Sequence, residues 1–168
     1  RPQQLAEALS QFEKVLYVEP AYDLVRVVRA INREGSFQQR RQVNDQLTLF
    51  RPIIPFSLRR IPNINSLIRR QIAKSVQREI AKIGASHITL IIHEIQYVDV
   101  LPNMKCDLII YDCVDDQEQL AGKHAERMGA LERQIIPFCD GIIVTAEKLK
   151  QKLQNYNKEI AIIRNAAD

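Results

Sequence analysis

The chain has 168 residues, 46% of them apolar, which is enough for one domain with a buried core. No stretch approaches the ~18 consecutive apolar residues that a membrane-spanning helix needs, and no charged-then-apolar leader stands at the front. The net charge of +4 favours anionic partners such as lipid head groups and sugar nucleotides. With 6% aromatic residues and no tryptophan, the chain has few side chains on which the bases of a single-stranded nucleic acid could stack, and we expect no nucleic-acid partner.

The cysteines give an expectation about the compartment. Cys106, Cys113 and Cys139 are odd in number and never spaced as C-x-x-C. This pattern favours reduced thiols over a disulfide frame or a zinc site, so a cytoplasmic protein is expected.

Six short apolar runs, rich in β-branched residues, are predicted to be strands. They cover residues 14–19, 88–93, 108–112 and 142–145, with weaker candidates at 46–50 and 160–163. Strands that are apolar on both faces are typical of a parallel sheet covered by helices. Because helical patterns separate them, we predict one α/β domain over residues 1–168, with a doubly wound, mostly parallel Rossmann-like sheet and helices on both faces.

Apolar residues at helical spacing predict four helices, over residues 2–12, Asn65–Ile83, 116–137 and from Thr145 through Leu153. Thr145 is the expected N-cap of the last helix, and Leu120 is expected to face inward from the third. Residues 23–43 are ambiguous, because LVRVVRA fits either a strand or a helix and residues 32–42 read as an exposed loop. The chain opens on a helix where a doubly wound domain normally opens on a strand, so we expect a truncated start.

Polar side chains follow four of the apolar strands. They are Glu19, His93 with Glu94, the acidic group Asp112, Asp115 and Asp116, and Thr145. Ligands of open parallel sheets bind at the carboxyl ends of the strands, so the group predicts a shared ligand-binding cleft. The alternative is ordinary loop chemistry, since aspartate and threonine are good helix caps.

Two of these positions have competing interpretations. A lone histidine such as His93 is commonly a hydrogen-bonded structural residue, but at a strand end beside Glu94 it is also placed to hold a ligand hydroxyl. The three aspartates resemble a metal cluster. Asp115 and Asp116 are placed to cap the next helix, however, and no further ligand follows at metal spacing, so no metal site is predicted.

Common nucleotide and hydrolase motifs are missing from the sequence. It contains neither G-x-G-x-x-G nor G-x-x-x-x-G-K-[ST], which excludes the dinucleotide and P-loop fingerprints. No nucleophile elbow supports Ser–His–Asp catalysis.

The succession of segments RPQQLAEAL, VLYVEP, IIHE, LIIYDCVDD, GIIVTAEKLKQKL and IRNAAD resembles the bacterial group 1 (family 4-like) glycosyltransferases. The closest likeness is to those of teichuronic acid and capsular polysaccharide synthesis, and it spans nearly the whole chain. RPQQLA and YDCVDD are its most distinctive segments. The resemblance implies a GT-B enzyme with two Rossmann-like lobes, of which this chain is the N-terminal, acceptor-side lobe.

The family's activity is transfer of a sugar from a nucleotide-sugar donor to a polysaccharide or lipid-linked acceptor. The resemblance implies retention at the anomeric carbon and no metal or other cofactor, with the donor held mainly by a second lobe. It also assigns roles by residue. His93 would contact the donor sugar near the reaction centre, and Asp112, the second candidate catalytic residue, would belong with Asp115 to an acidic strand-end loop.

Arg1 and Gln3 would border the cleft, and Asn165 matches the asparagine that leads into the second lobe. Two features depart from the family pattern. Residues 164–168 lack the proline and glycine of the usual hinge stretch, and both the first strand and the second lobe are absent. We therefore expect this chain alone to transfer no sugar.

A basic stripe runs along the helix Asn65–Ile83, formed by Arg70, Lys74, Arg78 and Lys82. The preceding stretch RPIIPFSLRRIP mixes apolar residues with Arg51, Arg59 and Arg60. Together they predict contact with an anionic membrane surface, and hence a peripheral position at the inner face of the cell membrane. A solvated charged face is the alternative.

Two functions from other classes stay open. A receiver-like signalling module would use Asp112 as phosphoacceptor and Thr145 at a later strand, but its acidic pair and its lysine are not visible in the sequence. A non-catalytic lobe that binds a partner or lipid is the second alternative.

Overall fold

The computed structural model describes residues 2–55, 65–156 and 158–164. It divides into two compact units, one formed by Arg1–Ala85 with Pro102–Met104 and the other by Ser86–Leu101 with Lys105–Asp168. The prediction of an α/β protein with a parallel sheet is confirmed. The single-domain boundary stays a prediction.

The first unit holds short strands and three helices. In chain order they are α1 (Pro2–Leu9), β1 (Val15–Val18), β2 (Tyr22–Asp23), α2 (Leu24–Glu34), β3 (Arg40–Gln42), β4 (Leu47–Phe50), β5 (Ile53–Ile54) and α3 (Asn65–Ile83). β4 lies between β1, which is parallel to it, and β3, which is antiparallel, while β2 and β5 form a separate parallel pair. The core is formed by apolar residues of the strands and of one face of α3: Leu47, Phe50, Ile54, Ile68, Ile72, Ala73 and Val76.

The ambiguous segment LVRVVRA is helical, as the start of α2. Asp23 caps the helix, because its Oδ1 accepts a hydrogen bond of 2.8 Å from the backbone N–H of Arg26. At the other end Gly35 has a φ of 74°, a left-handed conformation that glycine adopts without strain, and its N–H bonds the carbonyl of Ile31. No residue of α2 is buried.

The second unit is a four-stranded, all-parallel sheet flanked by helices, a Rossmann-like arrangement. Its strands are β6 (Thr89–Ile92), β7 (Leu108–Cys113), β8 (Gly141–Val144) and β9 (Glu159–Ile162), and its helices are α4 (Gln117–Leu120), α5 (Ala125–Ile135) and α6 (Glu147–Leu153). The strands lie in chain order, β6-β7-β8-β9. The core is an apolar cluster that includes Ile92, Ile95, Val98, Tyr111, Ile135, Ile136, Ile142, Val144 and Leu153.

Three predictions about the helices are wrong. The helix expected over residues 116–137 is interrupted by a turn at Gly122, whose φ is 51°. Leu120, at the end of the short α4, is therefore 71% exposed instead of facing the core. The N-cap position of α6 is Ala146, not Thr145. Among the residues that the structure describes, no helix is both long and apolar enough to cross a membrane.

Candidate functional site

Two of the predicted site residues meet at the carboxyl edge of the second unit's sheet. β6 and β7 are parallel, with Ile92 opposite Tyr111, so His93 and Asp112 are the next residues along both strands. The His93 Nδ1 atom lies 3.1 Å from the Asp112 Oδ2 atom. Asp112 is 1% exposed, whereas the His93 side chain keeps 20% of its surface accessible. The structure therefore brings two of the predicted site residues together as an acid–imidazole pair.

This contact has a definite chemistry. The two atoms are within ion-pair distance but not aligned as a hydrogen bond, and they attract as charges only when the imidazole is protonated. A buried carboxylate beside Nδ1 favours a proton on that nitrogen, which leaves Nε2 of a neutral ring as the acceptor. An imidazole held in this way is suited to bind a hydroxyl or to transfer a proton.

The loop after β7 is fixed by side chains that the sequence placed among the substrate-binding candidates. Asp116 caps α4, accepting the backbone N–H of Gln119 at 3.2 Å. The Thr145 hydroxyl donates a 2.6 Å hydrogen bond to the carbonyl of Val114. Asp115 is exposed, and so is Glu94 beside His93. The capping interpretation of Asp116 is confirmed, and substrate roles for these residues stay predictions.

Behind the loop lies a partly buried network of charges that sequence reasoning missed. The Lys152 Nζ atom is 2.8 Å from both Asp116 Oδ1 and Glu132 Oε2, and 3.6 Å from Glu118 Oε2. The Tyr111 hydroxyl donates to Glu132 Oε1 at 3.0 Å. Three helices and strand β7 are thereby joined through one lysine and one buried glutamate.

The network changes the titration of its members. Burial alone would lower the pKa of Lys152, but hydrogen bonds to Asp116 and Glu132 outweigh it and raise that pKa. Burial would likewise raise the pKa of Asp116, yet the hydrogen bonds from Lys152 and from backbone N–H groups hold it below 3.8. The pKa of Tyr111 is raised, first by burial and then by the neighbouring Cys113 and Glu132. Lys152 and Asp116 are thus both charged across the neutral range.

A signal for this network exists in the sequence. Glu132 follows Met128 by four residues and precedes Ile135 by three, so it lies on the apolar face of α5. A charged residue at such a position needs a buried partner. The spacing of apolar residues does not predict which lysine is the partner, because that depends on how α5 and α6 pack.

Glu19 belongs to the first unit and has a different setting. Its Oε2 atom is 2.7 Å from an Nη atom of Arg51, whose guanidinium lies over the Tyr22 ring at 4.3 Å from the centroid. These three residues, with Phe37 and Arg41, line a polar cavity of about 340 Å³. Gln3 is exposed on α1. Arg1 and Asn165 lie outside the described residues.

The basic stripe predicted on α3 is exposed at all four positions, Arg70, Lys74, Arg78 and Lys82. Lys82 pairs with Glu79 at 2.6 Å, which neutralises one end of the stripe. Arg51 faces Glu19 instead of forming a surface with the stripe. The remaining part of that prediction, with Arg59 and Arg60, falls outside the described residues.

Metal and family comparisons add little to the site. Within residues 2–55, 65–156 and 158–164, no three histidine, cysteine, aspartate or glutamate side chains are grouped as metal ligands. No model of a known protein family matches the chain, and no curated protein is similar to it at a significant level.

Proposed function

We propose that the chain is the acceptor-binding domain of a glycosyltransferase that moves a sugar from a nucleotide-sugar donor to a polysaccharide or lipid-linked acceptor. The observation that carries the proposal is the 3.1 Å contact between His93 Nδ1 and Asp112 Oδ2 at the carboxyl edge of a parallel sheet. Both residues belong to the segments through which the sequence resembles the glycosyltransferases, IIHE and YDCVDD.

In this proposal His93 is the residue that touches the donor sugar. Asp112 is a positioning residue, because its buried carboxylate lies against Nδ1 and favours a proton there. The imidazole is then free to hydrogen-bond a sugar hydroxyl through Nε2. Such a contact, when it strengthens in the transition state, is commonly worth about 2–4 kcal/mol.

The polar cavity around Glu19 supports a saccharide acceptor. Its lining combines the Glu19 carboxylate and the Arg41 and Arg51 guanidinium groups with the ring of Tyr22. Hydroxyl groups need donors and acceptors of this kind, and a sugar ring's C–H face packs well on an aromatic side chain. We propose this cavity as a saccharide-binding site of the first unit.

The donor's nucleotide would be bound by a second lobe, without a metal or other cofactor in this domain. Retaining transfer needs donor and acceptor positioned together in a water-poor cleft. We therefore expect the chain by itself to show no glycosyl transfer when incubated with nucleotide sugars and acceptors. An anionic membrane surface at the cytoplasmic face is part of the proposal, because lipid-linked acceptors reside there.

A test of the site uses the full-length protein and two histidine variants. His93→Ala should lower kcat about 30- to 1,000-fold with the fold intact, because it removes a transition-state contact. His87→Ala is the matched control, since His87 is exposed and precedes β6; its kcat should be unchanged. Wild-type turnover in the His93 variant, or loss of its circular dichroism spectrum, would show that His93 is structural.

The receiver-like alternative has less support from the same geometry. A phosphoacceptor aspartate must be reached by the phosphodonor, but Asp112 is 1% exposed. Incubation with labelled acetyl phosphate should leave the protein unlabelled, and stable labelling at Asp112 would favour the signalling function.

A further inference from the structure

Helix α2 presents an apolar face to solvent. Leu24, Val25, Val28 and Ile31 are between 45% and 57% exposed, and no residue of the helix is buried. A surface helix of a soluble domain ordinarily turns its apolar face toward the core. In α2 the apolar face is exposed instead.

The two faces of α2 are chemically distinct. Leu24, Val28 and Ile31 are spaced by four and three residues, so they share one face of the helix. Arg26, Arg29 and Arg33 recur at the same helical spacing and lie on the opposite side. The helix is therefore amphipathic, with a short apolar face and a polar face that carries only positive charge until Glu34.

Contacts within the first unit fix this orientation. The Arg26 guanidinium lies over the Tyr22 ring, 5.9 Å from its centroid. Ala30 and Glu34 line the polar cavity that also contains Tyr22. Because these residues are held by the unit, the apolar face cannot turn inward by a simple rotation of the helix.

We propose that α2 is an interfacial helix that inserts its apolar face into an anionic membrane surface. Exposed valine, leucine and isoleucine side chains supply burial in the acyl region, and long arginine side chains reach the lipid phosphates. Each basic residue near such a surface adds to the attraction, so charge complementarity selects anionic lipid as the occupant. The membrane contact is thereby assigned to α2 and not to the basic stripe of α3. The inference refines the membrane contact that the proposed function includes, and its test does not depend on enzymatic activity.

The test is co-sedimentation of the full chain with vesicles, which needs no enzymatic readout. Vesicles of phosphatidylglycerol and phosphatidylcholine in equal parts should pellet the wild-type chain, and phosphatidylcholine alone should pellet much less of it. Val28→Asp should lower the partition coefficient more than about tenfold, because it places a charge where the proposal puts an apolar group among the acyl chains. Leu120→Asp is the matched control: Leu120 is 71% exposed but lies in the other unit, so its partition should be unchanged.

Several outcomes would overturn the proposal. Binding of Val28→Asp equal to wild type, or no difference between the two lipids, removes α2 as an anionic membrane contact. If Arg70→Gln with Lys74→Gln abolishes binding while Val28→Asp does not, the contact is through α3. If Val28→Asp dissociates a dimer and leaves vesicle binding unchanged, a second copy of the chain covers this face. Circular dichroism checks that each variant is folded. If Val28→Asp does not fold, Val28→Ser replaces it in the test and should also weaken vesicle binding.

Discussion

Replacing Lys152 by methionine tests the partly buried charge network directly. The substitution keeps an unbranched side chain that is one atom shorter, but it removes the ammonium that lies 2.8 Å from Glu132 Oε2 and from Asp116 Oδ1. The Glu132 side chain is 4% exposed, so its carboxylate is left in the core with only the Tyr111 hydroxyl as a strong donor. The folded state must then hold a charge that water would solvate better.

The expected loss in the free energy of unfolding follows from the burial of the Glu132 carboxylate. Removing one partner of a buried ion pair typically destabilises a protein by 3–5 kcal/mol, roughly. Lys152 itself is 27% exposed, which weakens the wild-type pair and gives a destabilisation near the lower end, about 3 kcal/mol. Adding Glu132→Gln to the same chain removes the stranded charge while keeping an acceptor for Tyr111. The double variant should therefore recover about 2 kcal/mol.

Urea unfolding at pH 7, followed by far-UV circular dichroism, measures these differences. For Lys152→Met the midpoint should fall by about 1.5 M. Amide hydrogen exchange in α5 and α6 assigns the change to the second unit. Lys148→Met is the control, because Lys148 is exposed on the same helix and should change stability by less than about 0.5 kcal/mol. If Lys152→Met is as stable as this control, or if Glu132→Gln recovers nothing, the network does not stabilise the fold.

Two further predictions concern titration and thiol chemistry. The pKa of Asp116 is lowered in the folded state, so its contribution is complete above about pH 4 and is lost as the pH falls through the folded value. Asp116→Asn should flatten the acid limb of the stability profile, and an unchanged limb would contradict this. Burial raises the pKa of the Cys113 thiol to about 12, whereas Cys106 is only partly buried. Iodoacetamide at pH 8 should therefore label Cys106 first, as mass spectrometry can show, and rapid labelling of Cys113 in the native protein would refute the burial argument.

The strands were predictable because their signal is local. The runs at 88–93 and 108–112 are apolar on both faces, and they became β6 and β7 with boundaries shifted by one residue. Because parallel strands end at the same edge of a sheet, His93 and Asp112 were expected to lie near each other. The 3.1 Å contact between His93 Nδ1 and Asp112 Oδ2 was not predictable in this way, because it depends on strand register and on side-chain rotamers.

The helices show where local pattern was insufficient. For residues 24–30 both a strand and a helix fit the apolar pattern, and the decision rests on caps at Asp23 and Gly35 that the sequence already contained. Leu120 was misplaced because the positive φ of Gly122 interrupts the helix just after it. The exposure of the apolar face of α2 is a tertiary property, since amphipathicity alone does not predict which face meets solvent.

The order of strands in the second unit has a consequence for how the protein folds. Each strand pairs with the next one along the chain, Thr89 with Leu108, Ile110 with Gly141, and Gly141 with Glu159. Every loop that must close is therefore short, which favours rapid folding compared with sheets that join distant segments. During synthesis β6 and β7, which carry His93 and Asp112, emerge before β8 and β9, so the sheet can grow one strand at a time.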